Sequence, residues 1–215
     1  MEKMPFIDRI DTVPANPVIS IESDWRRSLP VLTGRSVTLR ELRVSDAPVL
    51  LAMLATEEVA RFISPPPTSV EGFERFIAWT HSERAAGRYI CFGIVPEGMD
   101  VAVGLFQVRQ SVPDFESAEW GFALGSAYWG SGVFMVGAQL VLDFAFEVIG
   151  VHRLEARAAV QNGRGNGALR KVGALQEGIL RRSFLRNGAH LDQVLWAILS
   201  SDRPALRATG SPSVH

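Results

Sequence analysis

Residues 128–140 read YWGSGVFMVGAQL. Three glycines fall within eight residues, and an apolar run follows that carries only Gln139 before Asp143. Where such a loop joins a strand to a helix, the first amides of the helix have no intrahelical acceptors and point back into the loop. With the helix dipole behind them they form a site for an anion, and a phosphate-bearing ligand fits that chemistry. Gly130 and Gly132 either let a ligand approach the backbone closely or supply the positive φ of a tight turn. The loop alone leaves both readings open. A dinucleotide site of the doubly wound type is disfavoured because three antiparallel-looking strands precede the loop, and a P-loop because no Lys-Ser or Lys-Thr follows it.

The apolar run continues to Ile149, and Gln139, Asp143 and Glu147 recur through it every four residues as one polar stripe. That pattern suits a largely buried helix of a soluble protein and is marginal in length for a bilayer span. Upstream, SVTLREL (residues 36–42) alternates as a strand, and a helix follows with Ser45 or Asp46 as N-cap and Pro48 in its first turn. After the prolines 65–67, Thr68-Ser69-Val70-Glu71 has capping-box spacing and opens a second helix that runs to about Ala86, with Gly87 as its stop. Three strand-like runs come next, at residues 88–95, 101–109 and 117–125, and should form an antiparallel meander. Beyond the glycine loop and its helix lie a strand at 152–160, a short helix from Asn166 to Val172, and two strands near 179–185 and 191–198 joined by RNGAH. This order describes one α+β domain, a mainly antiparallel mixed sheet with helices on its faces.

The composition is that of an ordinary globular chain of 215 residues, 47% hydrophobic, with 22 basic against 23 acidic side chains. A net charge of −1 provides no general field for nucleic acid. One cysteine, Cys91, excludes an intrachain disulfide and reads as a buried thiol, and with four scattered histidines it builds no zinc pattern, so no metal is expected. The opening MEKMPFIDRI lacks a basic region followed by an apolar core. A cytoplasmic protein without membrane partners is the resulting expectation. Residues 1–32 read as an extension, 33–200 as the domain and 201–215 as a flexible tail. Trp25, Arg26 and Arg27 are expected to be disordered, with covering of a cleft or a partner subunit as the alternative. Apolar strand ends such as VLWAIL would favour a covered edge, and so a homodimer.

The loop Trp129-Gly130-Ser131-Gly132-Val133-Phe134, then Asn162-Gly163-Arg164-Gly165-Asn166 and Lys171-Val172-Gly173, closely resemble the GNAT superfamily of N-acetyltransferases in the spacing of its RimJ/RimL branch. TLREL, AEWGFALG and LDQVLWAIL fall where the family has counterparts, so the resemblance covers about residues 32–199. It implies a split between the strand ending at Leu124 and the one beginning near His152, with acetyl-CoA lying in it. The pyrophosphate would rest on the amides of Gly130, Ser131, Gly132, Val133 and Phe134 beside Trp129. The pantetheine would pair with the strand edge at Phe122, Ala123 and Leu124, and the Leu124 amide would face the thioester carbonyl as an oxyanion donor. Asn162 matches the family asparagine near the pantetheine, and Gly165 and Asn166 open the helix that flanks the thiol.

Transfer to an amine needs its free base, and Glu119 aligns with a carboxylate common in the branch. The other reading of Glu119 is an exposed or salt-bridged strand carboxylate; Asp192 is a lesser candidate base. Arg164 and Lys171 either meet the CoA ribose phosphate or are solvated surface charges. The acceptor, a protein N-terminal α-amine or a small-molecule amine, would enter past Phe62, the Pro65-Pro66-Pro67 turn, Trp79 and Phe184. Phe134 stands where a small residue is usual, Ser131 where Lys or Arg is frequent, Gly165 where serine is usual, and Leu169 where many relatives carry a tyrosine acid. These departures keep a second reading in play, a non-catalytic CoA-binding sensor or assembly module on the same fold.

Overall fold

The computed structural model describes residues 24–203. In chain order the elements are β1 (Leu32–Thr33), β2 (Val37–Glu41), α1 (Ala47–Leu54), α2 (Glu57–Ala60), α3 (Val70–Ala85), β3 (Tyr89–Pro96), β4 (Gly104–Gln110), β5 (Ser117–Leu124), α4 (Val133–Asp143), β6 (Arg153–Ala159), α5 (Gly163–Lys171), β7 (Leu175–Arg186) and β8 (Ala189–Leu199). The strands make one eight-stranded sheet in the order β1-β2-β3-β4-β5-β6-β8-β7. Neighbours are antiparallel except β5 and β6, which are parallel. Among the described residues no helix is long and apolar enough to cross a membrane.

Both faces of the sheet are covered, which β3 shows by being buried along its whole length. Successive side chains of a strand point to opposite faces. Accordingly Ile90, Phe92 and Ile94 pack with Ala138, Val141 and Leu142 of α4, while Tyr89, Cys91 and Val95 pack with Leu50 and Leu54 of α1 and Phe73 and Ile77 of α3. Each large side chain so buried contributes about 1.5–3 kcal/mol. Burial pushes the Cys91 thiol far above its ordinary range, so it stays a protonated, unreactive core group.

Asp46 is fully buried and its carboxylate accepts from both Arg40 guanidinium nitrogens at 2.8 Å, from the Arg43 amide at 2.7 Å and from the Ala102 amide at 3.0 Å. It ties the turn before α1 to the segment that leads into β4. Burial works to raise its pKa, but the Arg40 guanidinium and the two amides outweigh it and hold the carboxyl below the usual range.

Several local expectations shift. The α3 cap is Ser69, whose Oγ accepts from Gly72 N at 3.1 Å, one residue after Thr68. Helix α5 begins at Gly163, three residues before the expected Asn166. The long helix does not run evenly to Ile149: α4 passes into a π-helical turn over Phe144–Ile149, closed by Gly150 at φ +83°. Arg203 reaches the predicted polar stripe, donating to Gln139 at 3.1 Å and pairing with Asp143. VLWAIL lies in β8, which β6 and β7 pair on both sides, so it is not an edge. The outer strand there is β7, whose register slips between Leu180 and Phe184. Trp25 is not loose, and it lines neither cavity at the β5–β6 split. It is 7% exposed, stands edge-on to Phe115 at 5.7 Å, and its core cluster includes Leu29 and Leu32. The expectations for residues 1–23 and 204–215 lie outside the described residues.

Candidate active site

The parallel pairing of β5 with β6 runs only from Ser117↔Arg153 to Glu119↔Glu155. Past that point each strand continues on its outer partner alone, β5 on β4 to Leu124 and β6 on β8 to Ala159. The sheet is therefore split. The bond from Gly125 N to Val103 O at 3.0 Å fixes the alternation of the β4–β5 ladder, so Ala123 bonds toward β4 while the amides of Phe122 and Leu124 face the opening.

The glycine loop stands at the mouth of this split. Gly130 and Gly132 have φ of +77° and +88°, which disfavours any side chain, and a Cβ built on either meets no atom within 4 Å. Their conformation requires glycine, and the space beside them is open. The first intrahelical bond of α4 is Val136 N to Gly132 O at 3.2 Å, so the amides of Phe134 and Met135 precede it. Trp129 Nε1 donates to the Leu124 carbonyl at 2.9 Å and so locks the loop to the end of β5. The Arg164 guanidinium lies 4.1 Å over the Trp129 ring. Ser131 turns its hydroxyl back to Tyr128 O at 2.7 Å, and Val133 is core.

Two cavities meet at the split. The first, of about 930 Å³, is lined by Phe122, Ala123, Leu124, Trp129, Gly130, Gly132, Phe134, Met135, the start of α5 and α2 with the residues after it. Its ionisable lining is Arg61, Arg164 and Lys171 against Glu58, a surplus that suits an anionic ligand. The second, of about 400 Å³, is lined by Phe62, Pro65, Pro66, Pro67, Phe73, Phe76, Phe184, Gln107, Glu119, Arg157 and Gln193, and it shares Phe62, Ile63, Phe122, Ala123 and Asn162 with the first. Trp120 also lines it, and its Nε1 is buried with no hydrogen-bond partner among the described residues. A buried donor without a partner is uncommon and fits a site whose ligand supplies the acceptor.

Three expected departures take physical form here. The Phe134 ring packs on Phe122 at 4.6 Å and Phe106 at 5.7 Å and forms part of the wall of the first cavity. Gly165 is not a lost cap. Asn162 caps α5 by accepting from Gly165 N at 2.9 Å, and a Cβ on Gly165 would come within 2.5 Å of Asn162 Nδ2. Leu169, 1% exposed, lines the second cavity and carries no acid.

Asn166 lines neither cavity: its Nδ2 donates to Ala159 O and Asn162 O at 2.9 Å, and its Oδ1 accepts from Trp196 Nε1 at 2.9 Å. It fastens α5 to the far side of the split. Asp192 likewise has a structural use, accepting from the Arg182 amide at 2.7 Å in the β7 bulge, where φ is +52°. Trp79 stays outside, beside Phe76 at 6.1 Å and Tyr89 at 4.8 Å. Glu119 combines both of its readings. It lines the second cavity and accepts from Arg109 at 3.0 Å, with Arg157 at 3.9 Å. Glu155 and Arg153 extend this ion-pair row across the sheet. Sequence reasoning missed α2, which brings Glu58 and Val59 to the first cavity; its only sequence signal was Thr56 before the paired acids Glu57 and Glu58.

Residues 36–175 match the Acetyltransferase (GNAT) domain. The chain is 28% identical over 180 residues to "Probable N-acetyltransferase YjcK" of Bacillus subtilis, covering 80% of this chain and 98% of that protein. Among solved structures it resembles Mycobacterium smegmatis RimJ in complex with CoA-disulfide, with a TM-score of 0.75, 24% identity and coverage of 84% and 94%. It also resembles the ribosomal-protein-S5-alanine acetyltransferase of Vibrio fischeri, with a TM-score of 0.72, 18% identity and coverage of 80% and 98%. The matched segment takes in the glycine loop, both walls of the split and α5, and the chain belongs to the GNAT acetyltransferase family.

Proposed function

We propose that the protein transfers the acetyl group of acetyl-CoA to a primary amine by direct attack within a ternary complex. Membership of the family implies acetyl transfer from acetyl-CoA. The observation that carries the reading for this chain is the parting of β5 from β6 after Glu119 and Glu155, with the Phe122 and Leu124 amides facing the gap beside the glycine loop. The diphosphate would lie on the amides that open α4, with Arg164 and Lys171 near the remaining phosphate. The pantetheine would add itself to the edge of β5 as a short strand. That RimJ holds a CoA disulfide in the same fold supports the placement.

In the reaction the amine nitrogen attacks the thioester carbonyl carbon. The oxygen becomes an oxyanion facing the Leu124 N–H, the C–S bond breaks, and the CoA thiolate departs. Glu119 takes the proton that the amine loses, directly or through water. Among the described residues the second cavity has Glu119 and Arg157 as its ionisable lining, and in this reading the departing thiolate takes its proton from water. Positioning and oxyanion stabilisation supply most of the acceleration.

The test pairs binding with turnover. Acetyl-CoA and CoA should each raise the melting temperature while ATP does not. Thiol release from acetyl-CoA should then require an added amine. Stabilisation without thiol release for any amine would favour the sensor or assembly module instead.

A further inference from the structure

The polar groups of the second cavity are few and unequal. Its ionisable lining among the described residues is one carboxylate, Glu119, and one guanidinium, Arg157, and Arg109 also holds Glu119 from outside. Around that carboxylate the row is balanced, Arg109 and Arg157 against Glu119 and Glu155, which leaves no spare negative charge. Gln107 adds a donor rather than an acceptor. Its Oε1 accepts from the Tyr89 hydroxyl, which burial keeps protonated by pushing its pKa up, and its amide nitrogen lies 2.9 Å from where a Cβ of Gly121 would stand. The rest of the wall is mainly apolar, with Phe62, Phe76, Phe184 and the proline turn, and its uncharged polar groups include Trp120 and Gln193. The β7 bulge that Asp192 stabilises brings Phe184 to this wall.

Resting on the transfer reading above, we infer that the acceptor is a primary amine with a single positive charge and an apolar group beside it, and that polycationic amines are excluded. One ammonium can give up its proton at Glu119. A second would stand against Arg157 and aromatic rings with no second carboxylate in the described lining to meet it, and an unpaired charge taken out of water is disfavoured. A cation over phenylalanine is held less well than over tryptophan, and Arg157 opposes it in the same space. An apolar group is matched by the walls, and an oxygen next to the amine is matched by the Gln107 amide. A peptide N-terminus beginning with a large apolar residue and a small arylalkylamine share this chemistry.

The experiment measures kcat/KM by thiol release for a tripeptide beginning with phenylalanine, 2-phenylethylamine, spermidine and kanamycin, after acetyl-CoA binding has been confirmed by thermal shift. At least one apolar amine should exceed both polycations by about tenfold or more. The peptide arm against the arylalkylamine arm tells the two sources apart. Phe184→Ala should lower kcat/KM for the preferred amine by about tenfold without changing the acetyl-CoA Kd. Arg157→Glu should raise turnover of spermidine relative to the apolar amine. A polycation used as well as the apolar amines, a preference unmoved in both variants, or bound acetyl-CoA with transfer to none of the four would overturn the inference. Failure to bind acetyl-CoA would instead remove the transfer reading itself.

Discussion

Asp46 and Glu119 are both carboxylates beside arginines, in two regions that differ in how much of each carboxylate the protein has already used. Asp46 is sealed under β4 with four short donors on its two oxygens. Glu119, at the open end of the β5–β6 pairing, has one donor at 3.0 Å, a second arginine at 3.9 Å and a cavity in front of it. A carboxylate saturated by its own chain serves the fold. One left partly open beside a cavity can act on something that enters.

The contrast can be broken by exchanging the effects. Glu119→Gln should lower kcat by about 10²–10⁴-fold while leaving the acetyl-CoA Kd and the melting curve close to wild type; a melting curve that collapses would place Glu119 with Asp46 as a structural group. Asp46→Ala strands Arg40 and should cost about 3–5 kcal/mol in denaturant unfolding, with kcat per folded molecule little altered. The pH dependence sharpens the same point. The folded Asp46 pKa is lowered, so its contribution is present above the ordinary carboxylate range and is lost as pH falls through the folded value. Urea midpoints followed from pH 6 downward should drop in the wild type, and Asp46→Asn should flatten that drop. The smallest effect belongs to Arg109→Gln, which removes a mostly exposed partner of Glu119 and should change stability by less than about 1 kcal/mol.

The two regions were also unequally legible. The glycine loop showed in the sequence because positive φ at Gly130 and Gly132 demands glycine, and the ordered segments around it carried the family resemblance. The meander was readable from its three strand-like runs, and the continuously apolar one became β3, buried on both faces. What stayed hidden depends on which side chains actually meet and on elements too short to show a period. Gly165 looked like a missing serine cap because the cap comes from Asn162 three residues earlier, whose side chain also crowds the space a Cβ on Gly165 would take. Trp25 looked loose because its partner Phe115 is distant in the chain, and the four-residue α2 is too short to show a period. VLWAIL reads as apolar and extended whether a strand is central or outermost; position in the sheet is set by pairing, which composition does not encode.

The indole N–H of Trp120 has no hydrogen-bond partner among the described residues, and that has a practical consequence. It lines the second cavity and is stacked at 6.3 Å on Phe106, so any molecule that offers it an oxygen would alter the polarity felt by the ring. The protein thus carries its own optical gauge of occupancy. Emission excited at the tryptophan band should move when the gap fills, in the native chain and without a dye, and Trp120→Phe should silence the part of that signal that comes from inside the sheet.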